Sequence, residues 1–441
     1  MPLKNGKTPA EIARAPEEMT GEPRRLVVGE LSLRQTFSAL RHRNFRLFFS
    51  GQLVSLIGTW MQNTAQGWLV YEMTHSRWLL GLVVAVNSAP MLLFSIWGGS
   101  IADRHPKRNI VLWTQASMMV LAFTFAALVA SGHITTWQIL VVAGLRGLAM
   151  AFDMPARQAF MVEMTNREDL MNAISLNSSI VNGARVIGPS VAGFLIARIG
   201  IAMCFFVDGL SYLAVIAGLA MMRLPKFVKP QRTGSALAHV LEGFSYVWGH
   251  RRMKTLLILF SIVGIFGWSY SVLMPAFATD ALKIGAGGYG ALLSANGVGA
   301  LLGALTVASV GHRVSLRFLV FGGLWIFSAM LLLLAFVQNF YLALLLLAIG
   351  GWGMLLFFST VNTLLQTSAS DEMRGRVMGI WALVFGGMMP IGGLEAGTLS
   401  HYVGVRWTVA IGALVCALAA LVTWVIVRGR TKSEGRMKNA E

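Results

Sequence analysis

The chain has 441 residues, of which 56% are hydrophobic and only 12% are charged. Soluble domains carry about a quarter charged residues, so this composition excludes a set of soluble globular domains. The formal net charge of +17 would suit a nucleic-acid-binding protein, but the positions of the basic residues, given below, argue against that class. The two cysteines, Cys204 and Cys416, both fall inside apolar runs, so neither a disulfide framework nor a cysteine metal site is predicted.

The first 44 residues contain no apolar core of signal-peptide type, and we predict that 1–44 form a cytoplasmic tail. Each of the segments that follow has about 20 apolar residues or more, the length that an α-helix needs to cross about 30 Å of hydrocarbon. The sequence therefore predicts an all-α membrane protein with twelve transmembrane helices. The twelve predicted spans are 45–71, 79–101, 110–130, 136–156, 171–197, 201–222, 255–279, 288–309, 316–337, 341–366, 374–399 and 404–427.

The basic residues are distributed unevenly between the two faces of this arrangement. With twelve spans both termini lie on one side, and 30 of the 36 lysines and arginines fall in the tails, turns and central segment of that side. The opposite side carries only Arg77, Arg198, Lys283 and Arg406. Because basic residues mark the cytoplasmic side, we predict that both termini are cytoplasmic and that the positive charge is a topology signal, not a nucleic-acid footprint.

The spans divide into two groups of six, at 45–222 and 255–427, with a cytoplasmic tail at 428–441. Between the groups, 223–254 is a basic, proline-containing linker in which ALAHVLEGFSYVW has the apolar spacing of an amphipathic helix at a membrane surface. The fifth span contains IGPSVAG, and the eleventh contains the similar proline- and glycine-containing segment MPIGGLEAG. A weak internal repeat of this kind predicts two pseudo-symmetric six-helix bundles, a plan typical of secondary transporters.

The turn between the second and third spans, within GGSIADRHPKRNIVLW, carries a dense group of charges. Gly99, Asp103, Arg104, Lys107 and Arg108 follow the spacing G-x-x-x-D-R-x-x-K-R, which resembles the loop motif of the major facilitator superfamily. A proline stands in this turn where the superfamily usually has a glycine. The resemblance covers about residues 41–428 and implies a fold of two six-helix bundles and an activity in secondary transport.

Other segments resemble the exporters of this superfamily. Gly188-Pro189-x-x-x-Gly193 in the fifth span is similar to their helix-packing motif, with Ala192 in place of one glycine, and Arg146 lies where proton-coupled exporters have a motif arginine. ALRHRNFRLFFSGQLVSLIGTWMQ, DMPARQAFMVEM and DEMRGRVMGIW are similar to the branch that includes bacterial enterobactin exporters and effector-secretion proteins. The resemblance implies export of a small organic molecule and does not identify it.

We expect Asp103 to act in a gate at the cytoplasmic side. An unpaired carboxylate is costly in hydrocarbon, whereas the N-terminus of a neighbouring helix stabilises an anion. The resemblance implies that this helix is the eleventh, which begins near Arg374 and Arg376, so that the contact would hold the bundles together while the outside is open. Arg104, Lys107 and Arg108 would pair with acids of neighbouring turns; for Lys107 and Arg108 the alternative is anchoring at anionic lipid headgroups. The candidate acids are Glu163, Glu168, Asp169, Asp371 and Glu372.

Polar and charged residues inside the spans mark a second candidate site, because charges within a bilayer are costly and usually face a cavity. Helical spacing places Arg146 and Asp153 on one face of the fourth span, and Asn182 and Arg185 on one face of the fifth. We predict a central substrate or coupling surface; the alternative is that these groups only form hydrogen bonds between helices. The predicted residues are Gln62, Asn63, Gln66, Arg146, Asp153, Asn182, Arg185 and Glu395.

Glu395 is the only glutamate deep within a span, and the first span has no central carboxylate that could pair with Arg146. We therefore expect Glu395 to carry the coupling proton, because a carboxyl group in an apolar setting is able to bind and release one. The alternative is that Glu395 pairs with Arg406 or reaches water. Asp208, in the sixth span, equally fits a helix-capping role and stays outside the predicted site.

The sequence contains no nucleotide-binding loop, enzyme motif or metal-ligand set, so we predict neither catalysis nor a cofactor or metal. It predicts a functional monomer of the bacterial cytoplasmic membrane that exports a small siderophore-like or drug-like molecule by proton antiport with alternating access. Two alternatives stay open. One is a flippase for lysophospholipids or similar lipids, and the other is a non-transporting sensor or scaffold that has kept the fold.

Overall fold

The computed structural model of the protein describes residues 37–166, 168–224, 236–311 and 313–438. A short 3-10 helix, Ser38–Arg41, precedes twelve long helices, and a linker helix, Ala236–Gly249, separates the first six from the last six. The long helices are α1 (Arg43–Thr74), α2 (Arg77–Arg104), α3 (Lys107–Ala130), α4 (Thr136–Met164), α5 (Leu170–Arg198), α6 (Ile201–Ala220), α7 (Arg251–Phe266), α8 (Ala286–Val310), α9 (Leu316–Phe336), α10 (Phe340–Ser368), α11 (Asp371–Val403) and α12 (Val405–Lys438).

Eleven helical spans are long and apolar enough to cross a membrane, and one of them, Arg251–Val272, is α7 together with the short helical segment that follows it. The remaining helix, α1, has 32 residues and is more polar, since it buries Gln52, Gln62 and Gln66 among its neighbours. Its length exceeds the roughly 20 residues that a membrane span requires. The described chain therefore contains the predicted number of membrane-length helices.

The seventh span differs from a regular helix. Its helix begins at Arg251, inside the predicted linker, and ends at Phe266. Two short helical segments, Ser269–Val272 and Met274–Ala276, and a π-helical turn, Phe277–Ala281, complete the crossing. Glycine and proline in this stretch explain the interruption, because glycine weakens a helix and proline removes a backbone donor.

The helices pack as two bundles with the same internal arrangement. In the first bundle α1 packs on α5 and α6, α2 packs on α4, and α3 packs on α4 and α6. In the second bundle α7 packs on α11 and α12, α8 packs on α10, and α9 packs on α10 and α12. The second set of pairs is the first set shifted by six helices, which confirms the predicted pair of pseudo-symmetric six-helix bundles.

The bundles meet through two helix pairs, α2 with α11 and α5 with α8. We call the end where α1 begins and α12 ends the basic face. At the opposite face, Gly81 of α2 lies so close to Gly393 and Gly397 of α11 that a methyl group on Gly81 would overlap the Gly393 carbonyl. Five turns further along α2, on the same helix face as Gly81, lies Gly99. Gly375 lies five turns before Gly393 on the corresponding face of α11. A methyl group on Gly99 or on Gly375 would meet nothing within 4 Å. The bundles therefore touch at the opposite face and leave open space between α2 and α11 towards the basic face.

Gly188, Pro189 and Gly193 of the predicted packing motif lie at close helix contacts. A methyl group on Gly188 would lie 2.5 Å from Trp60 Cβ and 3.0 Å from the Ile57 carbonyl oxygen of α1. At Gly193 it would lie 2.9 Å from the Ala286 carbonyl oxygen of α8. Small residues let helix backbones approach in a membrane, so this segment allows α5 to contact both α1 and α8.

The linker helix lies against α11 at the basic face. Val247 is buried, and Glu242 pairs with Arg376 of α11 at 2.7 Å. Leu241, Phe244 and Trp248 are exposed, which fits the predicted amphipathic helix. Most of the predicted tail, residues 1–36, and about a third of the predicted linker, residues 225–235, lie outside the described residues, as do the side chains of the basic residues after Arg428.

The two cysteines of the sequence are buried in different bundles. Cys204 lies in α6, with its Sγ 3.8 Å from the Ala192 carbonyl oxygen, and Cys416 lies in α12. Both side chains are 0% exposed, and both are free thiols. They behave as small apolar residues of the two cores.

Candidate substrate site

Arg185, near the middle of α5, lies between the two bundles. Its guanidinium carbon is 5.7 Å from the centre of the Trp60 ring of α1 and 5.8 Å from that of the Trp268 ring, which follows α7. Both distances fall within the roughly 6 Å range of cation–π attraction. Because one tryptophan belongs to each bundle, a single cation contacts both halves of the molecule.

A short chain of hydrogen bonds orients this guanidinium. Arg185 Nη2 donates to Asn296 Oδ1 of α8 at 3.1 Å, and Asn296 Nδ2 donates to the Tyr270 hydroxyl at 2.9 Å. Asn296 and Tyr270 are buried, whereas Arg185 is partly exposed. A guanidinium has five N–H donors, and towards the described residues Arg185 uses one of them.

Local backbone features bring these side chains together. Gly188, one turn after Arg185, allows α5 to approach α1 at Trp60. In the C-terminal bundle, α7 ends at Phe266. The next residue, Gly267, has no space for a side chain, because a methyl group there would lie 2.9 Å from the Phe327 ring. The bend that follows places Trp268 beside α5.

An aromatic cluster extends from Trp268 through the C-terminal bundle. The Trp268 and Phe358 rings are 6.2 Å apart, those of Phe260 and Phe358 are 4.9 Å apart, and Trp381 stacks on Phe385 at 5.4 Å. Phe358, Trp381 and Phe385 are partly exposed. We call these five residues the aromatic wall. It offers planar apolar surface close to the charge of Arg185.

Arg146 and Asp208 form a buried charged centre in the N-terminal bundle. Arg146 Nη1 donates to Asn63 Oδ1 of α1 at 2.7 Å, and Asp208 lies in α6 of the same bundle. Asp208 is fully buried, and its Oδ2 accepts no hydrogen bond from the described residues. Gly58 of α1 makes room for it, because a methyl group there would lie 2.6 Å from Asp208 Oδ1. The first span has no central acid, whereas the sixth contains a buried one.

Asp153 lies in a network of polar contacts within the N-terminal bundle. It is buried, accepts hydrogen bonds from Thr114 at 2.7 Å and Gln115 at 3.1 Å, and pairs with Arg157 one turn further along α4. Arg157 in turn donates to Gln52 of α1 at 2.7 Å. These contacts join α1, α3 and α4, so the alternative of hydrogen bonding between helices describes Asp153 better than a place on the substrate surface.

The remaining polar residues of the predicted surface differ in how far they are exposed. Gln62 and Gln66 are buried, at 1% and 6% exposure, so they do not line an open cavity in this conformation. Asn63 beside them is exposed and holds Arg146. Asn182 of α5 is partly exposed, and its Nδ2 donates to the Ser178 carbonyl oxygen at 2.9 Å.

Glu395 lies in an apolar setting on α11. Both of its carboxyl oxygens are buried, and neither accepts a hydrogen bond from the described residues. The alternative pair with Arg406 is not formed, because Arg406 Nη2 donates to the Ala281 carbonyl oxygen at 3.2 Å.

Four of the five basic residues of the predicted gate contact groups of their own bundle or of the linker helix: Lys107, Arg108, Arg374 and Arg376. Gly99, Asp103 and Arg104 lie in the last turns of α2, where Gly99 borders the open space between α2 and α11. The contact of Asp103 with the first turn of α11 stays a prediction for the conformation in which this space is closed. The observed contacts are Lys107 Nζ to Glu163 Oε1 at 2.6 Å, Arg108 Nη2 to the Ala220 carbonyl oxygen at 3.0 Å, Arg374 Nη2 to Asp371 Oδ1 at 2.7 Å and Arg376 Nη1 to Glu242 Oε1 at 2.7 Å.

A group of contacts between the bundles at the opposite face was not predicted from the sequence. Asp280 Oδ2, in the π-helical turn, accepts from the Tyr71 hydroxyl of α1 at 2.6 Å and from Arg77 Nη2 of α2 at 2.7 Å. Trp68 of α1 stacks on Tyr289 of α8 with ring centres 5.6 Å apart. We call the contact of Tyr71, Arg77 and Asp280 the outer tie. It joins the bundles where their glycines also meet.

Sequence reasoning missed Trp60, Asn296 and the place of Asp208 beside Arg146. A usable signal existed for Asp208 alone: a lone acid of one span and a lone arginine of another both need a partner in the same hydrocarbon layer. Trp60 and Asn296 carry no such signal, because single tryptophan and asparagine residues are common in membrane helices.

Comparison with known proteins gives consistent matches along the whole described chain. Residues 34–439 match the model of a family described as transmembrane secretion effector. The chain is 24% identical over 392 residues to a staphyloferrin A transporter of Staphylococcus aureus, covering 87% of this chain and 96% of that protein. It is 27% identical to the multidrug efflux pump Tap of Mycolicibacterium fortuitum, covering 82% and 90% of the two chains. It is 26% identical to the enterobactin exporter EntS of Escherichia coli, covering 77% and 81%.

Solved structures share the fold at low sequence identity. A bacterial homologue of the human lysosomal transporter spinster, in an inward-facing and unoccupied conformation, has a TM-score of 0.68 at 14% identity, covering 90% of this chain and 98% of that one. The nucleoside transporter NupG has a TM-score of 0.70 at 14% identity, covering 88% and 99%. The helix arrangement, the loop motif and the family match agree, and the chain belongs to the transmembrane secretion effector family of major facilitator superfamily transporters.

Proposed function

We propose that the protein exports an anionic, ring-bearing organic molecule, siderophore-like or drug-like, from the bacterial cytoplasm in exchange for protons. The observation that carries this proposal is Arg185, partly exposed between the bundles, with a tryptophan ring from each half beside it. The relatives named as siderophore transporters and as a drug efflux pump support this class of cargo.

The chemistry of the site favours an anion that carries a ring. A planar guanidinium binds the paired oxygens of a carboxylate or a catecholate through parallel hydrogen bonds, and it keeps its charge at every physiological pH. The aromatic wall supplies stacking surface for the rings of the same molecule. Charge would orient the cargo, and the apolar wall would accept cargoes of different shape.

The positive-inside rule orients the proposed export cycle in the membrane. The excess of basic residues at the basic face favours a cytoplasmic location for that face and for both termini. The open space at Gly99 and Gly375 then admits a cytoplasmic molecule towards Arg185. In the proposed cycle the two bundles rock as rigid bodies: the outer tie breaks, and Asp103 meets the first turn of α11 as the basic face closes. A monomer contains every part that this cycle requires.

Proton coupling is assigned to Glu395. Its buried, unpartnered oxygens favour a group that gains and loses a proton during the cycle over one that forms a fixed ion pair. Proton binding from the acidic outside and release to the cytoplasm would drive the cargo outwards.

Transport by purified protein tests the proposal. Proteoliposomes are loaded with an anionic catecholate siderophore, an anionic carboxylate siderophore or a cationic dye, and efflux is followed with and without an imposed pH gradient. We expect efflux of the anionic compounds, accelerated when the trans side is acidic, and little efflux of the dye. A scaffold would produce no flux in any condition, and equal flux of all three compounds would contradict the role given to Arg185.

A further inference from the structure

A second cationic cavity lies at the basic face, apart from Arg185 and the aromatic wall. It has a volume of about 370 Å³ and lies where α7 begins, between the start of α9 and the end of α10. His250, Arg252 and Ser368 give it polar groups. Met253, Leu316 and Leu364 give it an apolar lining.

The N-terminal bundle has a matching cavity. It has a volume of about 260 Å³ and is lined by His42, Arg43 and Met164, at the start of α1 and the end of α4. These helices are the first and fourth of their bundle, as α7 and α10 are in the other. The sequence repeats as well: HRNFR at 42–46 corresponds to HRRMK at 250–254. His42 and His250 are each the N-cap of their helix, and neither side chain caps it.

The two cavities differ in the charge that meets the histidine. His42 Nε2 lies 2.8 Å from Asp169 Oδ2, and Asp169 is the N-cap residue of α5. The N-cap residue of the corresponding helix α11 is Ser370, which is uncharged. The next residue, Asp371, pairs with Arg374 at 2.7 Å.

In the part of the chain that the structure describes, neither His250 nor Arg252 pairs with a carboxylate. His250 Nδ1 instead lies 2.7 Å from the Tyr246 carbonyl oxygen. The repeat places Arg252 where the N-terminal bundle has Asn44, so the C-terminal site gains a basic residue, and among the described residues its histidine lacks the acid partner that His42 has in Asp169.

The surroundings of this cavity indicate which external anion replaces the acid. Arg252 is permanently charged, and the first backbone N–H groups of α7 and α9 have no acceptor within their helices. Lys254 Nζ lies 5.0 Å from the centre of the Trp248 ring, and Phe318 at the start of α9 is 69% exposed. Trp248 and Phe318 each lie two residues along the chain from a lining residue, His250 and Leu316. A basic cavity close to exposed aromatic residues at a membrane surface matches a lipid headgroup with its chains in hydrocarbon better than it matches a soluble anion.

We propose that this cavity binds the phosphate of an anionic phospholipid from the leaflet at the basic face. The lipid phosphate takes, in the C-terminal bundle, the place that the Asp169 carboxylate takes in the N-terminal bundle. The site is separate from the cargo path, so this proposal does not depend on the transported molecule.

Native mass spectrometry of the full chain, titrated with phosphatidylglycerol, phosphatidylcholine or inorganic phosphate, tests the proposal. We expect phosphatidylglycerol to bind more tightly than phosphatidylcholine, and Arg252→Gln to reduce this preference about fivefold, the contribution of one basic residue near an anionic surface. Arg43→Gln, at the matching cavity, is the control and should change it less than twofold. Because Arg252 is exposed, its substitution should leave folding intact, which gel filtration checks.

An exchange of the acid between the halves gives a second, independent measurement. Ser370→Asp should abolish the phosphatidylglycerol preference by supplying an internal anion, and Asp169→Ser should create a second lipid site in the N-terminal bundle. Equal binding of the two lipids by the unmodified protein would overturn the proposal. So would a preference that is unchanged in both Arg252→Gln and Ser370→Asp. If millimolar inorganic phosphate displaces phosphatidylglycerol, the cavity is a site for soluble phosphate, and the proposal of a lipid site is overturned.

Discussion

The two bundles share one arrangement of helices but differ in chemistry. The N-terminal bundle buries Arg146, Asp153 and Asp208 together with several glutamines of α1. The C-terminal bundle is built around aromatic rings, and Glu395 is the one acid that the described residues place deep within its spans. A duplicated fold has thus been divided between a half that fixes charges and a half that offers apolar surface.

This division has a mechanical meaning. Buried charges need partners in a fixed geometry, because each unpaired one is costly, so the N-terminal bundle is expected to move as a rigid body. Stacked rings tolerate small displacements at little cost, so the C-terminal bundle is able to adapt to cargo. Arg185, a charge of the first half held against an aromatic ring and an amide of the second, is the residue at which the two properties meet.

The largest expected effect on cargo binding comes from removing the Arg185 side chain. Arg185→Ala should weaken binding of an anionic cargo about 10- to 100-fold, since hydrogen bonds to a charged group contribute about 1.5–3 kcal/mol. Arg185→Lys should restore binding only in part, because it lacks the planar fork. Quenching of tryptophan fluorescence by cargo measures the affinity. Arg198→Ala, at the end of the same helix, is the matched control, and full affinity in Arg185→Ala would make Arg185 a structural residue.

A smaller effect is expected at the proposed contact between Asp103 of α2 and the first turn of α11. Asp103→Asn should weaken closure of the basic face by about 1–2 kcal/mol, the scale of a carboxylate at a helix N-terminus, or about 5- to 30-fold in the closing equilibrium. Transport should fall while membrane insertion stays normal. Glu72→Gln, which removes an exposed acid of α1 outside the predicted gate, is the control and should leave transport unchanged. Wild-type flux in Asp103→Asn at equal expression would refute the gate.

The smallest expected effect concerns the lone deep acid of the C-terminal half. Glu395→Gln should retain cargo exchange without a gradient and lose acceleration by an imposed gradient, a difference of at most about tenfold per pH unit. Flux in proteoliposomes with and without a pH difference separates the two activities. Glu72→Gln, an exposed acid of α1, is the control. If pH-driven efflux survives in Glu395→Gln, Glu395 is not the proton carrier. Asp208 is then the next candidate, because its Oδ2 also accepts no hydrogen bond from the described residues.

Much of the fold was predictable from the sequence. Apolar segments of about 20 residues have to form helices in hydrocarbon, because every backbone group must be bonded within the segment, and this determines the number and order of the spans. Internal echoes such as IGPSVAG and MPIGGLEAG then predicted the six-plus-six division, which the helix pairs confirm.

The site was predictable only in part. Periodicity identifies the face of a helix on which a residue lies, but it does not identify the helix that this face meets. Arg185 could therefore be named, whereas its contacts with Trp60, Trp268 and Asn296 could not, since they come from three other segments. For the same reason the partners of Asp153, which lie on α3 and on its own helix, could not be named from the sequence.

The burial of both cysteines has a practical consequence. Thiol reagents in water react with exposed thiolates, and Cys204 and Cys416 are the only thiols in the chain and are 0% exposed. A double variant, Gly99→Cys with Gly375→Cys, would therefore accept a pair of fluorophores on otherwise native protein, one on each side of the open space between α2 and α11. Energy transfer between those dyes would report the opening and closing of single transporters in real time, without the usual removal of background cysteines.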